Sequence, residues 1–302
     1  VQTCALPICP SLLPATMLNI DYQVAVIIVA VVVTVYSIMG GLWSVTLTDF
    51  VQVFLIVIGM IIAVPFAMNY AGGWSSISAN IPEGTMNLFE GYDLFGIISL
   101  VIMYTATFSV GQEAVSRFYA AKDERAAKGG AWLAALVNFI YAFIPTILGI
   151  ITLALINMGK FSSEQFASVG ARYALPVLAI NTMPALICGL LFAGIISATM
   201  SSSDSDLLGA GSIFANDIYK AVLKPDASSD SVMKVTKIVM CLVGVASMLI
   251  ALFNTQSIVS ILMFCFTLRA AGSFFPYVMG HYWKKASTAG TIASLLDRKS
   301  VV

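Results

Sequence analysis

The most polar stretch of an otherwise apolar chain runs from Ser197 to Asp206 and carries several hydroxyls and two carboxylates. If this stretch is helical, Ala198, Ser201, Ser202 and Ser205 share one face, because they are spaced three and four residues apart. Hydroxyl, carbonyl and carboxylate oxygens are hard ligands that suit an alkali cation and disfavour soft metals. Serine hydroxyls add no charge, so the pattern indicates a site that could bind a monovalent ion and release it.

The alternative is that these serines are structural. Serine hydroxyls in membrane helices often bond back to the carbonyl four residues earlier, or allow helices to pack closely. Asp204 and Asp206 lie within the same short stretch. Because acids at membrane depth are costly, their presence favours the cation site over the structural interpretation.

Two other places combine polar side chains with apolar surroundings. Asp49 begins the second apolar run, where it could be an acid facing the positive end of a helix dipole. The third run changes character near Thr107, Gln112 and Glu113. Such a break lines a cavity in transporters. It could equally be a helix that ends near Arg117, and the residues leave both interpretations open.

Membrane helices must position all of these groups. Hydrophobic residues make up 59% of the 302 residues and charged residues only 10%, whereas a soluble domain carries about 25% charged residues. The exterior must therefore face mostly lipid. The zero net charge gives no reason to expect a nucleic-acid partner. Five scattered cysteines and the single His281 leave a metal cluster or a hydrolytic triad incomplete, so we expect no enzyme.

The apolar runs predict an all-α integral membrane protein, a multi-span helical bundle that forms a single domain over residues 1–302. About 20 apolar helical residues cross a bilayer. Seven stretches meet this criterion, near 22–40, 48–70, 94–117, 130–156, 180–208, 234–253 and 257–280. A barrel would instead show short alternating segments.

Lysine and arginine predict the orientation. They concentrate in loops on one predicted side, whereas the loops on the opposite side hold only Lys160 and Arg172. The positive-inside rule then places the basic loops and the chain end in the cytoplasm of a multi-pass cell-membrane protein. An apolar run that begins at Thr291 stops abruptly after Leu296. We therefore expect a fragment of a longer protein whose extreme termini are not genuine.

Four passages resemble the sodium:solute symporter family. A Gly-Gly … Thr-Asp-x-x-Gln pattern begins at Gly40, and a Gln … Arg-Phe … Ala-Ala-Lys pattern follows Gly111. The serine-rich passage from Ser197 is similar to the family's sodium-binding helix, and a Phe-x-Pro … Trp-Lys-Lys pattern begins at Phe274. The resemblance covers roughly residues 20–296. It implies a five-plus-five inverted-repeat fold in which these spans correspond to core helices four to ten.

The resemblance also implies a sodium site and a solute site. On the eighth core helix, sodium ligands would be the Ala198 carbonyl and the Ser201 and Ser202 hydroxyls. The solute contacts would lie near Gln112 and Glu113, with Thr107 in the same broken helix. The identity of the solute does not follow from the family.

Some family members hold a second sodium ion. Its ligands here would be Asp49, Ser201, Asp204 and Ser205, although Asp204 stands where such members have a hydroxyl. The stoichiometry therefore stays open.

The implied function is symport of sodium with a small organic solute into the cell by alternating access. Sodium would be transported cargo, and we expect no prosthetic group, obligatory protein partner or nucleic acid. Two alternatives remain. One is a proton-coupled symporter that uses Asp49, Asp204 or Glu113, and the other is a transporter-like sensor module.

Overall fold

The protein folds into α-helices that are long enough to cross a membrane. The computed structural model describes residues 20–87, 91, 93–161, 174–253, 258–283 and 287–296, and this part of the chain contains no β-strand. Its helices are α1 (Tyr22–Ala71), α2 (Trp74–Ala79), α3 (Leu94–Ser109), α4 (Gln112–Tyr119), α5 (Glu124–Asn157), α6 (Ala174–Thr182), α7 (Ala185–Ile213), α8 (Ser229–Phe253), α9 (Ile258–Arg269), α10 (Phe275–Tyr282) and α11 (Thr288–Leu296).

Two π-helical segments extend these helices. Phe214–Leu223 continues α7, and Ala270–Phe274 joins α9 to α10. Six segments have the length and composition of membrane spans, namely Gln23–Gly40, Thr46–Ala71, Glu124–Asn157, Ala185–Leu223, Ser229–Phe253 and Ser260–Tyr282. The apolar helix Leu94–Ser109 is shorter. Six of the predicted stretches overlap these span-length segments, and the predicted stretch 94–117 covers the shorter α3 and most of α4.

The first two predicted spans form one helix with a bend. The Tyr36 hydroxyl donates a hydrogen bond to Thr48 Oγ1, twelve residues later. Twelve residues of a straight helix rise about 18 Å, much further than a tyrosine side chain reaches. A cleft of about 630 Å³ between the two halves is lined by residues of both, including Val35 and Leu47. The chain thus turns near Gly40 without leaving the helical state.

The predicted span 180–208 begins too early. Residues up to Thr182 belong to the separate helix α6, and α7 begins at Ala185. Pro184 separates the two helices. The residue before a proline is driven out of the helical region, which explains the boundary.

Helix α7 lies at the centre of the bundle, and glycines let it approach α1. A Cβ atom on Gly59 would lie 3.1 Å from the Leu190 carbonyl oxygen. A Cβ atom on Gly194 would lie 3.0 Å from the Leu55 carbonyl oxygen. Small residues of this kind allow membrane helices to pack backbone against backbone. Around this crossing lies a buried cluster that includes Leu191.

The opposite end of α7 packs on the first half of α1 and on α8. Val33, Leu207 and Met240 form a buried cluster there. A Cβ atom on Gly211 would lie 2.8 Å from Met240 Cγ, so this glycine allows close packing of α7 on α8. The two ends of α7 therefore contact different halves of the bent α1, which brings residues on both sides of the bend to one helix.

Candidate functional site

The predicted sodium ligands lie on α7, and the structure distinguishes neighbouring serines. The Ser203 hydroxyl is buried and donates to the Thr199 carbonyl oxygen at 2.8 Å. The exposed Ser202 hydroxyl lies 3.3 Å from the Ala198 carbonyl oxygen, beyond the usual range for an O–H···O bond. No hydrogen bond joins the half-buried Ser201 hydroxyl to the described part of the chain. Ser201 and Ser202 thus present hydroxyl oxygens that local bonding engages weakly or not at all, and the Ala198 carbonyl oxygen lies beside Ser202.

Asp204 lies on the buried side of the same helix turn. Its side chain is 0% exposed, and the Ser37 hydroxyl of α1 donates to Oδ1. The same hydroxyl lies 2.8 Å from the Val33 carbonyl oxygen. Asp204 Oδ2 has no hydrogen-bond partner in the described part of the chain. A buried carboxylate with one oxygen that accepts no hydrogen bond is unusual, because buried polar groups are normally hydrogen-bonded.

Asp49 forms an ion pair with Arg117 of α4. Arg117 Nη2 lies 2.6 Å from Asp49 Oδ2 and 2.8 Å from the Ser205 hydroxyl oxygen. One guanidinium nitrogen therefore joins α1, α4 and α7. Asp49 lies inside the continuous helix α1, so the interpretation as a helix-start acid is wrong.

The residues predicted to bind a second cation lie close together, but some of their oxygen atoms already accept hydrogen bonds from Arg117. Asp49 and Ser205 both contact Arg117, and Asp204 directly precedes Ser205 on α7. Arg117 occupies Ser205 and one oxygen of Asp49. The other oxygen, Asp49 Oδ1, is buried without a hydrogen-bond partner in the described part of the chain.

The predicted break in the third apolar run is present. Helix α3 ends at Ser109, and α4 begins at Gln112 after two non-helical residues. Gln112 lines a cavity of about 140 Å³ together with Ser116, Arg117, Ser205, Leu208, Gly209 and Ser212. This volume is below the range of about 300–1,000 Å³ that is usual for small-molecule pockets. The cavity suits water or part of a ligand.

The other two predicted solute residues do not join that cavity. Thr107 is fully buried, and its hydroxyl donates to the Phe266 carbonyl oxygen of α9 at 2.8 Å. Thr107 therefore links α3 to α9, beside the ring contacts of Phe266 with Tyr104 and Phe108. The Glu113 side chain lies outside the described residues.

Sequence reasoning missed three residues of this region. Tyr36 and Ser37 lie within the first apolar run and Arg117 lies at the end of the third, so their sequence positions alone do not mark them as site residues. The sequence offered one clue to Ser37: this polar residue lies four positions after Val33, so both share one face of α1. No sequence pattern links these residues to Asp204, because Ser37 and Asp204 are 167 positions apart.

A helical membrane bundle with polar oxygens on a central helix, and a broken helix beside it, is the kind of architecture that membrane transporters use for their binding sites. No group of three or more His, Cys, Asp or Glu side chains in the described residues could hold a metal ion. The sequence profile of the sodium:solute symporter family matches residues 8–297. The chain belongs to this family. The relatives named in the next paragraph are transporters and not enzymes.

Several curated relatives are similar over most of this chain. The human high affinity choline transporter 1 is 26% identical over 80% of the chain and 42% of the relative. The sodium/pantothenate symporter of Haemophilus influenzae is 25% identical over 93% and 58%. The sodium/proline symporter of Staphylococcus aureus is 25% identical over 94% and 55%. The chain thus spans about half the length of the curated relatives it matches.

A solved structure matches the fold. A Na+-coupled sialic acid symporter in a substrate-bound outward-open state has a TM-score of 0.75 and 24% identity, over 96% of this chain and 62% of that chain. The predicted fold class is confirmed: the protein is an all-α integral membrane bundle and part of a five-plus-five inverted-repeat transporter fold.

Proposed function

We propose that the protein containing this chain is a multi-pass cell-membrane symporter that couples sodium entry to uptake of a small organic solute by alternating access. The supporting observation is the oxygen stripe of Ala198, Ser201 and Ser202 on α7. The Ser202 hydroxyl is exposed and weakly bonded, whereas Ser203 beside it is buried and fully bonded to its own helix. An uncharged oxygen set of this kind can bind a monovalent cation and release it.

The driving force is the sodium gradient together with the membrane potential. One charge that moves through 100 mV releases about 2.3 kcal/mol. This energy supports a solute concentration inside that is roughly ten to one hundred times the concentration outside. In the proposed cycle, sodium on α7 biases the equilibrium between outward-open and inward-open states, and the solute follows.

The solute class is a small organic compound. Relatives are named for choline, pantothenate, proline and glucose. The broken helix that carries Gln112 and Glu113 is the proposed solute-binding element, because unwound backbone near the bilayer midplane lines substrate sites in transporters. Thr107 is a weaker candidate, since its hydroxyl already bonds to Phe266.

Uptake by the full-length protein in proteoliposomes tests the proposal. A panel of radiolabelled choline, pantothenate, proline, glucose and sialic acid is measured with an inward sodium gradient, with an equal potassium gradient and in empty liposomes. Accumulation of one solute only with sodium is expected. Accumulation that a proton gradient drives equally well would contradict sodium coupling and favour the proton-coupled alternative.

A pair of serine variants tests the site. Ser202→Ala should raise the sodium concentration for half-maximal uptake at least tenfold, because it removes a proposed ligand. Ser203→Ala removes the same hydroxyl from the buried face and should leave this concentration near the wild-type value. Equal effects of the two changes would contradict the assignment of the stripe.

A further inference from the structure

Arg269 is a basic residue well inside a membrane span. It is the last residue of α9 and lies near the middle of the span segment Ser260–Tyr282. Its side chain is half-buried, whereas Arg125 and Lys128 are exposed at the start of their span. Charged side chains inside a span are rare, and those that occur usually serve a substrate or ion pathway.

The backbone changes its geometry at this arginine. Helix α9 ends at Arg269, and the next five residues, Ala270–Phe274, are π-helical. A single π-helical turn within an α-helix is uncommon and often occurs at a functional site. A Cβ atom on Gly272 would have nothing within 4 Å. The structure therefore leaves open space about one turn from Arg269.

An aromatic cluster lies one turn before the arginine. Phe266 precedes Arg269 by three residues, so both side chains lie on the same face of α9. The Phe266 ring contacts Tyr104 and Phe108 of α3, with ring centroids 5.6 and 5.8 Å apart. Helix α3 packs on both α9 and the π-helical segment. The arginine is thus adjacent to the last turns of α3, directly before the break that precedes α4.

The combination of rings and arginine selects one kind of ligand. Aromatic faces alone attract cations such as a quaternary ammonium group. A guanidinium group one turn away repels the same cation, and repulsion between two full charges outweighs attraction to a ring. A carboxylate can instead accept two parallel hydrogen bonds from the guanidinium group. Apolar rings exclude water beside this pair and so strengthen it.

We propose that Arg269 binds a carboxylate group of the solute, and that the rings of Tyr104, Phe108 and Phe266 contact the solute's apolar part. The solute is then an organic carboxylate. This inference rests on the proposed function in that the ligand is the transported solute. It adds α9 to the proposed solute-binding element formed by the broken helix, and it does not involve the sodium stripe on α7.

Binding of eight probes to the purified full-length protein, in detergent with sodium, tests the proposal. The probes are proline, pantothenate, sialic acid, the carboxamide of each acid, choline and glucose. The dependence of thermal stability on probe concentration gives each dissociation constant. One of the three acids should bind more tightly than its own amide by about tenfold or more, because the amide cannot form a charged pair. The same acid should bind more tightly than choline and glucose.

Variants of Arg269 test whether this residue is the cause of the preference. Arg269→Gln should bring the affinities of the acid and the amide close to each other, and Arg269→Lys should retain part of the preference because it keeps the charge. Arg125→Gln, the same change at an exposed position, should leave the preference at the wild-type value. If Arg269 only stabilises the bundle, Arg269→Gln will shift the unfolding midpoint and leave the preference unchanged, which would overturn the proposal.

The outcomes separate this proposal from the proposed function. Equal binding of acid and amide by the wild-type protein, a preference for choline or glucose, or no binding of any of the three acids would overturn the carboxylate site and leave sodium-coupled symport intact. An acid that binds through Arg269 but enters proteoliposomes equally well without sodium would support the site and overturn the proposed function. The wild-type comparison of acid and amide keeps the proposal testable even if Arg269→Gln does not fold.

Discussion

The contact between α1 and α7 has two ends that are built in opposite ways. At one end Gly59 and Gly194 bring the backbones together, and the surrounding side chains are apolar. At the other end Ser37, Asp204 and the Arg117–Asp49 pair connect the same helices through polar atoms. The first end is too closely packed to admit a Cβ without a shift, whereas the second retains carboxylate oxygens that have no hydrogen-bond partner in the described part of the chain.

The difference indicates a division of roles along one helix pair. A backbone-to-backbone contact has few alternative arrangements, because packed interiors tolerate little change in volume. A polar region whose contacts are hydrogen bonds and one partly exposed ion pair contributes less, because water can replace part of each contact. We therefore expect the glycine end to contribute more to stability than the polar end, and four substitutions test this expectation.

The largest loss of stability is expected for Gly194→Val. The new Cβ would lie 3.0 Å from the Leu55 carbonyl oxygen and 3.2 Å from Ile56 Cα, so the helices must separate. Overpacking of this kind costs about 1–3 kcal/mol, and two further methyl groups place the change at the upper end. The midpoint of thermal unfolding in detergent should fall by several degrees. Gly189→Ala, at a position with nothing within 4 Å, should leave it unchanged.

The second-largest loss of stability is expected for Arg117→Met. It leaves the partly buried Asp49 carboxylate, 15% exposed, without its partner. Loss of one partner of a fully buried pair costs about 3–5 kcal/mol, but Arg117 is 43% exposed, so water reduces the cost to about 1–2 kcal/mol. Asp49→Asn should restore most of the lost stability in the double variant. Additive losses in this double-mutant cycle would contradict a direct interaction.

A smaller effect is expected for Ser37→Ala. A hydrogen bond to a charged group contributes about 1.5–3 kcal/mol, but this hydroxyl shares its proton with Val33, so the loss should be near 1 kcal/mol. Ser203→Ala, similarly buried but bonded only to its own helix, should cost less than Ser37→Ala, because it breaks no contact between helices.

The smallest effect is expected for Thr107→Val, which tests whether structural polar contacts extend beyond the α1–α7 pair. The change keeps the side-chain shape and removes the hydrogen bond to Phe266, at a cost of about 0.5–1.5 kcal/mol. Because that hydroxyl is committed between α3 and α9, the KM for the solute should stay within a factor of about two of wild type. A large rise in KM at unchanged stability would restore Thr107 to the solute site.

The fold class could be predicted from the sequence because the membrane imposes simple rules. Apolar run length determines which segments span, and the apolar runs coincide with the helices of the structure. The break before Gln112 was visible because polar residues interrupt an apolar run. Helix boundaries were less predictable: the bend near Gly40 keeps helical hydrogen bonding, and Pro184 divides a run that is continuous in hydropathy.

The residues of the proposed cation stripe could be placed on one helix face for a similar reason. Helical periodicity alone determines that Ala198, Ser201 and Ser202 share a face, and no tertiary contact is needed to deduce it. The resemblance to the family added the ion and the mechanism. The predicted use of Asp49 and Ser205 could not be evaluated from sequence, because their partner Arg117 is 68 residues from Asp49.

The sequence by itself therefore determined features that depend on one helix at a time: which runs are long and apolar enough to span, which side chains share a face, and the break before Gln112. Only the tertiary structure decided which faces meet. It placed Ser37 against Asp204 and Arg117 against Asp49, and it left Asp49 Oδ1 and Asp204 Oδ2 without donors in the described part of the chain. The physical reason is that hydrogen bonds and charges act over a few ångströms, whereas the residues that share them lie far apart in the chain.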